Sequence, residues 1–119
     1  MLPGESGKCI LLVDDEEAVR AAIRLMLQAE GYAVVSAGNG EEALGLFAQG
    51  RFHLVITDFT MPRMRGDELA QRIKRLAPHQ PILMITGCGR KMEDAQIDAL
   101  LEKPFSLPEL RTTIKRLAS

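Results

Sequence analysis

Short apolar runs of four or five residues alternate along the chain with longer stretches in which apolar residues recur every three or four positions. Cys9–Val13, Tyr32–Ser36, Leu54–Asp58, Ile82–Thr86 and Ala99–Glu102 are the short runs. Their length and their flanking turn residues predict strands buried on both faces, as in a parallel sheet. Between the first two, Val19, Ala22, Ile23, Met26 and Leu27 follow the spacing of one helix face, with Glu16 and Glu17 in the first turn and Gly31 suited to the C′ position. Asn39 with Glu42 forms a capping-box pattern that opens a helix through Ala43, Leu44, Phe47 and Ala48 and ends at Gly50. A third helix is expected from Gly66 to Leu76, with Leu69, Ala70, Ile73 and Leu76 inward and Pro78 beyond its end. Ser106 and Glu109 make a second capping box, ahead of Leu110, Ile114 and Leu117 on one face of the last helix.

Strand and helix in alternation predict an α/β fold: a single doubly wound, five-stranded parallel sheet with right-handed crossovers and helices on both faces. The C-terminal ends of all strands then share one edge, which is where open α/β sheets place their chemistry. Asp14 and Asp15 follow the first strand, Asp58 ends the third, Thr86 ends the fourth and Lys103 follows the fifth. Three carboxylates, a hydroxyl and an ammonium are thus drawn from four separate strands to one place.

Composition narrows the classes. A chain of 119 residues, 46% apolar and 26% charged, is expected to fold as one domain, residues 8–119, behind a tail or linker at 1–7 that carries Pro3, Gly4 and Gly7. The net charge of −1 gives no reason to expect nucleic acid or an anionic membrane as a direct partner. Runs such as Ile10–Val13 and Ile82–Ile85 are far too short to span a bilayer, and the first eight residues lack the apolar core of a signal peptide. Two cysteines, Cys9 and Cys88, do not make a disulfide framework, so the expected location is the cytoplasm.

Clustered carboxylates repel one another and call for a cation at neutral pH. Oxygen-only ligation favours Mg²⁺, or Mn²⁺, over zinc. A metal held by two acids while a third stays free to attack suits a phosphoryl electrophile, and carboxylates are competent nucleophiles in aspartyl-phosphate chemistry. Lys103 would neutralise phosphoryl oxygens and Thr86 would donate to one. The residues therefore read as metal-assisted phosphorylation of Asp58. Blander readings exist for each: Asp14-Asp15 as helix N-caps, Thr86 as a hydroxyl that satisfies backbone at a strand end, Lys103-Pro104 as a loop. Met61, Met64, Met84 and Met92 read as core and loop filler, and His53 and His79 as surface residues with no place at the acidic edge. Cys9 reads as a small core hydrophobe and Cys88 as a loop thiol near the site.

Val13-Asp14-Asp15-Glu16, Asp58-x-x-Met61-Pro62 with Met64-x-Gly66-x-x-Leu69, Ile85-Thr86-Gly87 and Lys103-Pro104-Phe105 resemble the receiver domain of two-component response regulators, over roughly Lys8 to Leu117. The resemblance implies a flavodoxin-like receiver fold in which Asp58 accepts phosphate from the phosphohistidine of a histidine kinase or phosphotransfer domain. It implies Mg²⁺ bound by Asp15 and Asp58 with the Thr60 backbone carbonyl, Asp14 acting largely through water, Thr86 as the switch hydroxyl, Lys103 as the phosphoryl partner and a cis Lys103-Pro104 bond. It also implies a signalling module that catalyses only its own phosphorylation and dephosphorylation and switches binding to a downstream protein or fused domain. Thr60-Met61-Pro62 followed by Met64-x-Gly66 is similar to receivers fused behind hybrid histidine kinases.

This sequence departs from the family pattern in two places. Leu100 stands where an aromatic usually precedes the lysine by three residues, so an aromatic switch has no candidate there. The stretch from Thr86 to Lys103 is also short, so a shortened or missing fourth helix is expected, with Glu93–Ile97 left for one turn and Gly87–Asp98 of low local stability. Two rival classes are a phosphate-independent binding module, which loss of an acid or the lysine would favour, and a haloacid dehalogenase-type phosphohydrolase. The latter needs a second acid two residues after the nucleophile, where this chain has Thr60.

Overall fold

A computed structural model of the chain describes residues 7–87 and 96–118. The strands are β1 (Cys9–Val13), β2 (Ala33–Ala37), β3 (Leu54–Asp58), β4 (Ile82–Thr86) and β5 (Ala99–Glu102), and the helices α1 (Glu17–Ala29), α2 (Gly40–Gln49), α3 (Gly66–Leu76) and α4 (Leu107–Leu117). All strand pairs are parallel, in the order β2-β1-β3-β4-β5. The chain steps from β1 outward to β2 and then crosses back to β3, so β1 and β3 flank the point where strand order reverses, the place where such sheets open a crevice.

The two-residue period of the strands splits the core into two halves. Ile10, Leu12, Leu54, Ile56, Leu83, Ile85 and Leu101 face Ile23 and Leu27 of α1 and Leu110 and Ile114 of α4. On the other side, Leu11, Val13, Val55, Ile82 and Met84 meet Ala43 of α2 and Leu69, Ala70 and Ile73 of α3. β3 and β4 are buried along their whole length, which is why their sequences are apolar without alternation.

Local signals define the helix ends. Asn39 accepts the Glu42 N–H at 2.8 Å, while the Glu42 carboxylate reaches one residue further back, to the Gly38 N–H at 2.7 Å. Ser106 and Glu109 close a complete capping box on α4. α1 ends with Gly31 at φ +93°; the Gly31 N–H bonds the Gln28 carbonyl and the Tyr32 N–H bonds that of Leu27, the pairing of a Schellman stop.

The expected strand at Tyr32–Ser36 lies one residue later. Two positions expected inward are exposed instead. Ala22 lies at the flank of the α1 stripe, outside the contact made by Ile23 and Leu27. Leu76 is 64% exposed in the turn where the chain leaves α3. At that end it is Lys74 that tucks in, bonding the Gln80 carbonyl at 2.6 Å and the Asp98 carboxylate at 2.8 Å. Of the turn expected at Glu93–Ile97, residues 93–95 lie outside the described residues, as do Cys88 and Met92, while Gln96 and Ile97 are not helical. Among the described residues no helix is long and apolar enough to cross a membrane.

Candidate phosphoacceptor and metal site

Sheet register assembles the site. Val13 pairs with Thr57, so the next residues, Asp14 and Asp58, emerge side by side from β1 and β3. On the other flank of β3, Asp58 pairs with Ile85, and Thr86 follows; Thr86 pairs with Glu102, and Lys103 follows. The Lys103 N–H donates to the Thr86 carbonyl at 2.8 Å, carrying the β4–β5 ladder one step beyond the strands. The Lys103-Pro104 peptide is cis.

One oxygen from each of Asp14, Asp15 and Asp58 lies within 4.8 Å of the others. Lys103 Nζ stands 3.7 Å from Asp58 Oδ1. Asp14, Asp58 and Thr86 are buried, while Asp15 and Thr60 are exposed. Burial pushes the Asp14 and Asp58 carboxyls above the ordinary carboxylate range. Lys103 opposes the rise at both, while Asp15 and Glu16 add to it at Asp14 and Asp14 and Asp15 add to it at Asp58. For Asp14 the Glu16 N–H, which donates to Asp14 Oδ1 at 2.9 Å, also acts against the rise. Among the described residues, the Lys103 ammonium therefore faces three carboxylates, two of them desolvated. Hard oxygen donors this close, with uncompensated negative charge, fit a Mg²⁺-sized cation.

Asp14 and Asp15 do not cap α1: its N-cap is Glu16, with no side-chain cap bond. His53 is exposed at the opposite edge of the sheet, where its Nδ1 accepts the Cys9 N–H at 3.1 Å. Cys9 is half-buried and its thiol is pushed up by burial. Met61, Met64 and Met84 are core residues. Leu100 is half-buried against the α2–α3 side of the core.

Three residues with no assigned part in the site also shape this edge. Arg20 donates to the Asp14 carbonyl at 2.6 Å. Gly66 donates its N–H to the Phe59 carbonyl at 2.9 Å, and a Cβ there would sit 2.3 Å from the Asp58 carbonyl oxygen. Only glycine lets α3 start against the strand that carries Asp58. Arg63 adopts φ +67° between Pro62 and Met64, whose N–H bonds the Pro62 carbonyl at 2.7 Å. The Met-x-Gly pattern pointed to Gly66; nothing local marked the other two.

A doubly wound five-stranded sheet with an acidic triad at its switch point and a lysine across from it defines a class of phosphate-handling α/β domain. The family model of the response regulator receiver domain matches residues 10–115, and the chain belongs to that family. It is 39% identical over 113 residues to the response regulator MprA of Mycolicibacterium vanbaalenii, covering 91% of this chain and 49% of that protein. It is 37% identical over 106 residues to the autoinducer 1 sensor kinase/phosphatase LuxN of Vibrio campbellii, covering 86% of this chain and 12% of that protein. The chain thus spans half or less of the length of these curated relatives. Among solved structures, the response regulator TrrA of Thermotoga maritima in complex with Mg²⁺-BeF superposes with a TM-score of 0.87 at 37% identity, covering 92% of this chain and 98% of that one. TrrA in complex with the histidine kinase ThkA superposes with a TM-score of 0.85, also at 37% identity, covering 94% and 99%. Residues 10–115 are thus a receiver domain, a signalling module of two-component systems.

Proposed function

We propose that Asp58 is the phosphoacceptor, taking a phosphoryl group from the phosphohistidine of a histidine kinase or phosphotransfer domain. The observation that carries this reading is the placement of Asp58 at the switch point, within 4.8 Å of two further acids and 3.7 Å from Lys103. An Asp58 carboxylate oxygen attacks phosphorus, the phosphorus–nitrogen bond to the donor imidazole breaks, and an acyl phosphate forms. Asp14, Asp15 and Asp58, with the Thr60 carbonyl, are the residues that would hold Mg²⁺ or, in its place, Mn²⁺. When bound, the cation offsets carboxylate repulsion and stabilises charge on the phosphoryl oxygens. Lys103 supplies a second positive charge to those oxygens, and the Thr86 hydroxyl donates to one of them.

Because the lysine and hydroxyl contacts to phosphate exist only in the phosphorylated state, they give that state its differential stability. The readout is altered binding to a downstream protein or fused domain, and autodephosphorylation resets it. Leu100 keeps an aromatic rotamer swing out of the relay. The similarity of TrrA, which was solved with a histidine kinase, supports a kinase donor, and that of LuxN is in keeping with a hybrid-kinase setting.

The test is intact-mass analysis after incubation with a small phosphodonor and Mg²⁺. The wild type should gain one phosphoryl mass, and Asp58→Asn, which keeps size but removes the nucleophile, should gain none. An adduct that persists in Asp58→Asn refutes the assignment.

A further inference from the structure

The three acids are not held alike. Asp14 and Asp58 are buried at the strand ends, whereas Asp15 is exposed one residue further along the loop. Asp14 is fixed on three sides: its N–H donates to the Ala37 carbonyl at 3.2 Å, its Oδ1 accepts the Glu16 N–H, and its carbonyl accepts from Arg20 Nη1 at 2.6 Å. That carbonyl belongs to the Asp14–Asp15 peptide unit. A peptide unit is planar, so holding its oxygen sets the direction in which the Asp15 Cα and side chain leave it. The short distance is that of a charge-assisted bond from a guanidinium.

Arg20 closes the first turn of α1, half-buried, and reaches back over the loop. It bonds backbone, whereas the ammonium beside the carboxylates is that of Lys103. We propose that Arg20 is a positioning residue for the metal site: its bond to the Asp14 carbonyl orients the Asp14–Asp15 peptide and so aims the exposed Asp15 carboxylate at a cation shared with Asp14 and Asp58. This rests on the reading of the acidic triad as a Mg²⁺ site. Arg20 also rims an open groove with Glu17, Arg24, Gln28 and Ser36. A residue serving only to pack that groove would affect folding and leave metal affinity alone.

The experiment is a Mg²⁺ titration of the full chain, followed by amide NMR shifts, for wild type, Arg20→Met and Arg20→Lys, with thermal unfolding in EDTA alongside. Arg20→Met should bind Mg²⁺ roughly ten-fold or more weaker, the scale of outer-shell changes around metals. Its melting temperature in EDTA should stay at the wild-type value, and amide exchange at Asp15 should quicken. Arg20→Lys, which keeps a cationic donor, should recover part of the affinity. Wild-type affinity in Arg20→Met overturns the proposal, as does a loss that matches a lower melting temperature in EDTA and is not recovered by lysine. If the wild type takes up no Mg²⁺ at all, the metal-site reading itself fails, and this proposal with it.

Discussion

Replacing Asp14 by Asn should make the metal-free protein more stable, although Asp14 is among its most buried polar residues. Asn is nearly isosteric, and its amide oxygen can still accept the Glu16 N–H that Asp14 Oδ1 takes at 2.9 Å. What disappears is one negative charge within 4.8 Å of the Asp58 and Asp15 carboxylates. At that separation two like charges repel by about 3 kcal/mol for an effective dielectric of 20, and by about 1 kcal/mol in water. Lys103 attracts Asp14 and cancels part of the relief. The net gain should fall at about 1–3 kcal/mol, or roughly 4 °C in melting temperature for each kcal/mol.

The pH dependence provides a second check. Both buried carboxyls bind protons more tightly in the folded than in the unfolded chain. The native state therefore carries more protons between the unfolded carboxylate value and the raised native one, so these groups stabilise the fold as pH falls through that window. The advantage of Asp14→Asn over wild type should accordingly be largest near pH 7 and shrink as pH drops toward about 4. The assay is thermal unfolding in EDTA and in Mg²⁺ across that range. Mg²⁺ at concentration c should stabilise the wild type more than the variant, each by RT ln(1 + c/Kd), because the variant binds it more weakly. A variant that melts below wild type in EDTA at neutral pH would refute the charge-repulsion account.

Two further substitutions test how the site is supported. Gly66→Ala places a methyl 2.3 Å from the Asp58 carbonyl oxygen and 2.8 Å from Met84 Sδ; denaturant unfolding should show a loss of about 2–3 kcal/mol, together with slower phosphorylation of Asp58, and an unchanged midpoint would contradict the close packing. Asp98→Ala removes the carboxylate that receives both Lys74 Nζ and the Ile82 N–H at 2.8 Å; a loss of about 1.5–3 kcal/mol is expected, with faster hydrogen exchange at Ile82, and unaltered exchange there would show that the carboxylate does not hold the start of β4.

Local chemistry determined the elements of this protein. Strand length, the helical recurrence of apolar residues, the Asn39 and Ser106 caps and the Gly31 stop all act within a few residues, so they are legible in order along the chain. The same local reading put Asp14, Asp15, Asp58, Thr86 and Lys103 at strand ends, because alternation of strand and helix leaves a parallel sheet with one functional edge. Distances and energies belong to the tertiary structure. Only the β1–β3 register sets Asp14 beside Asp58, and only burial raises their proton affinity. Neither the bond from Arg20 to the Asp14 carbonyl nor the hold of Asp98 on Lys74 and Ile82 has a local signature, since each joins groups that meet only when separate elements pack. Leu76 shows the converse: its periodicity was right, but α3 runs out of core to cover before the helix ends, and a pattern along the chain does not record where the opposing surface stops.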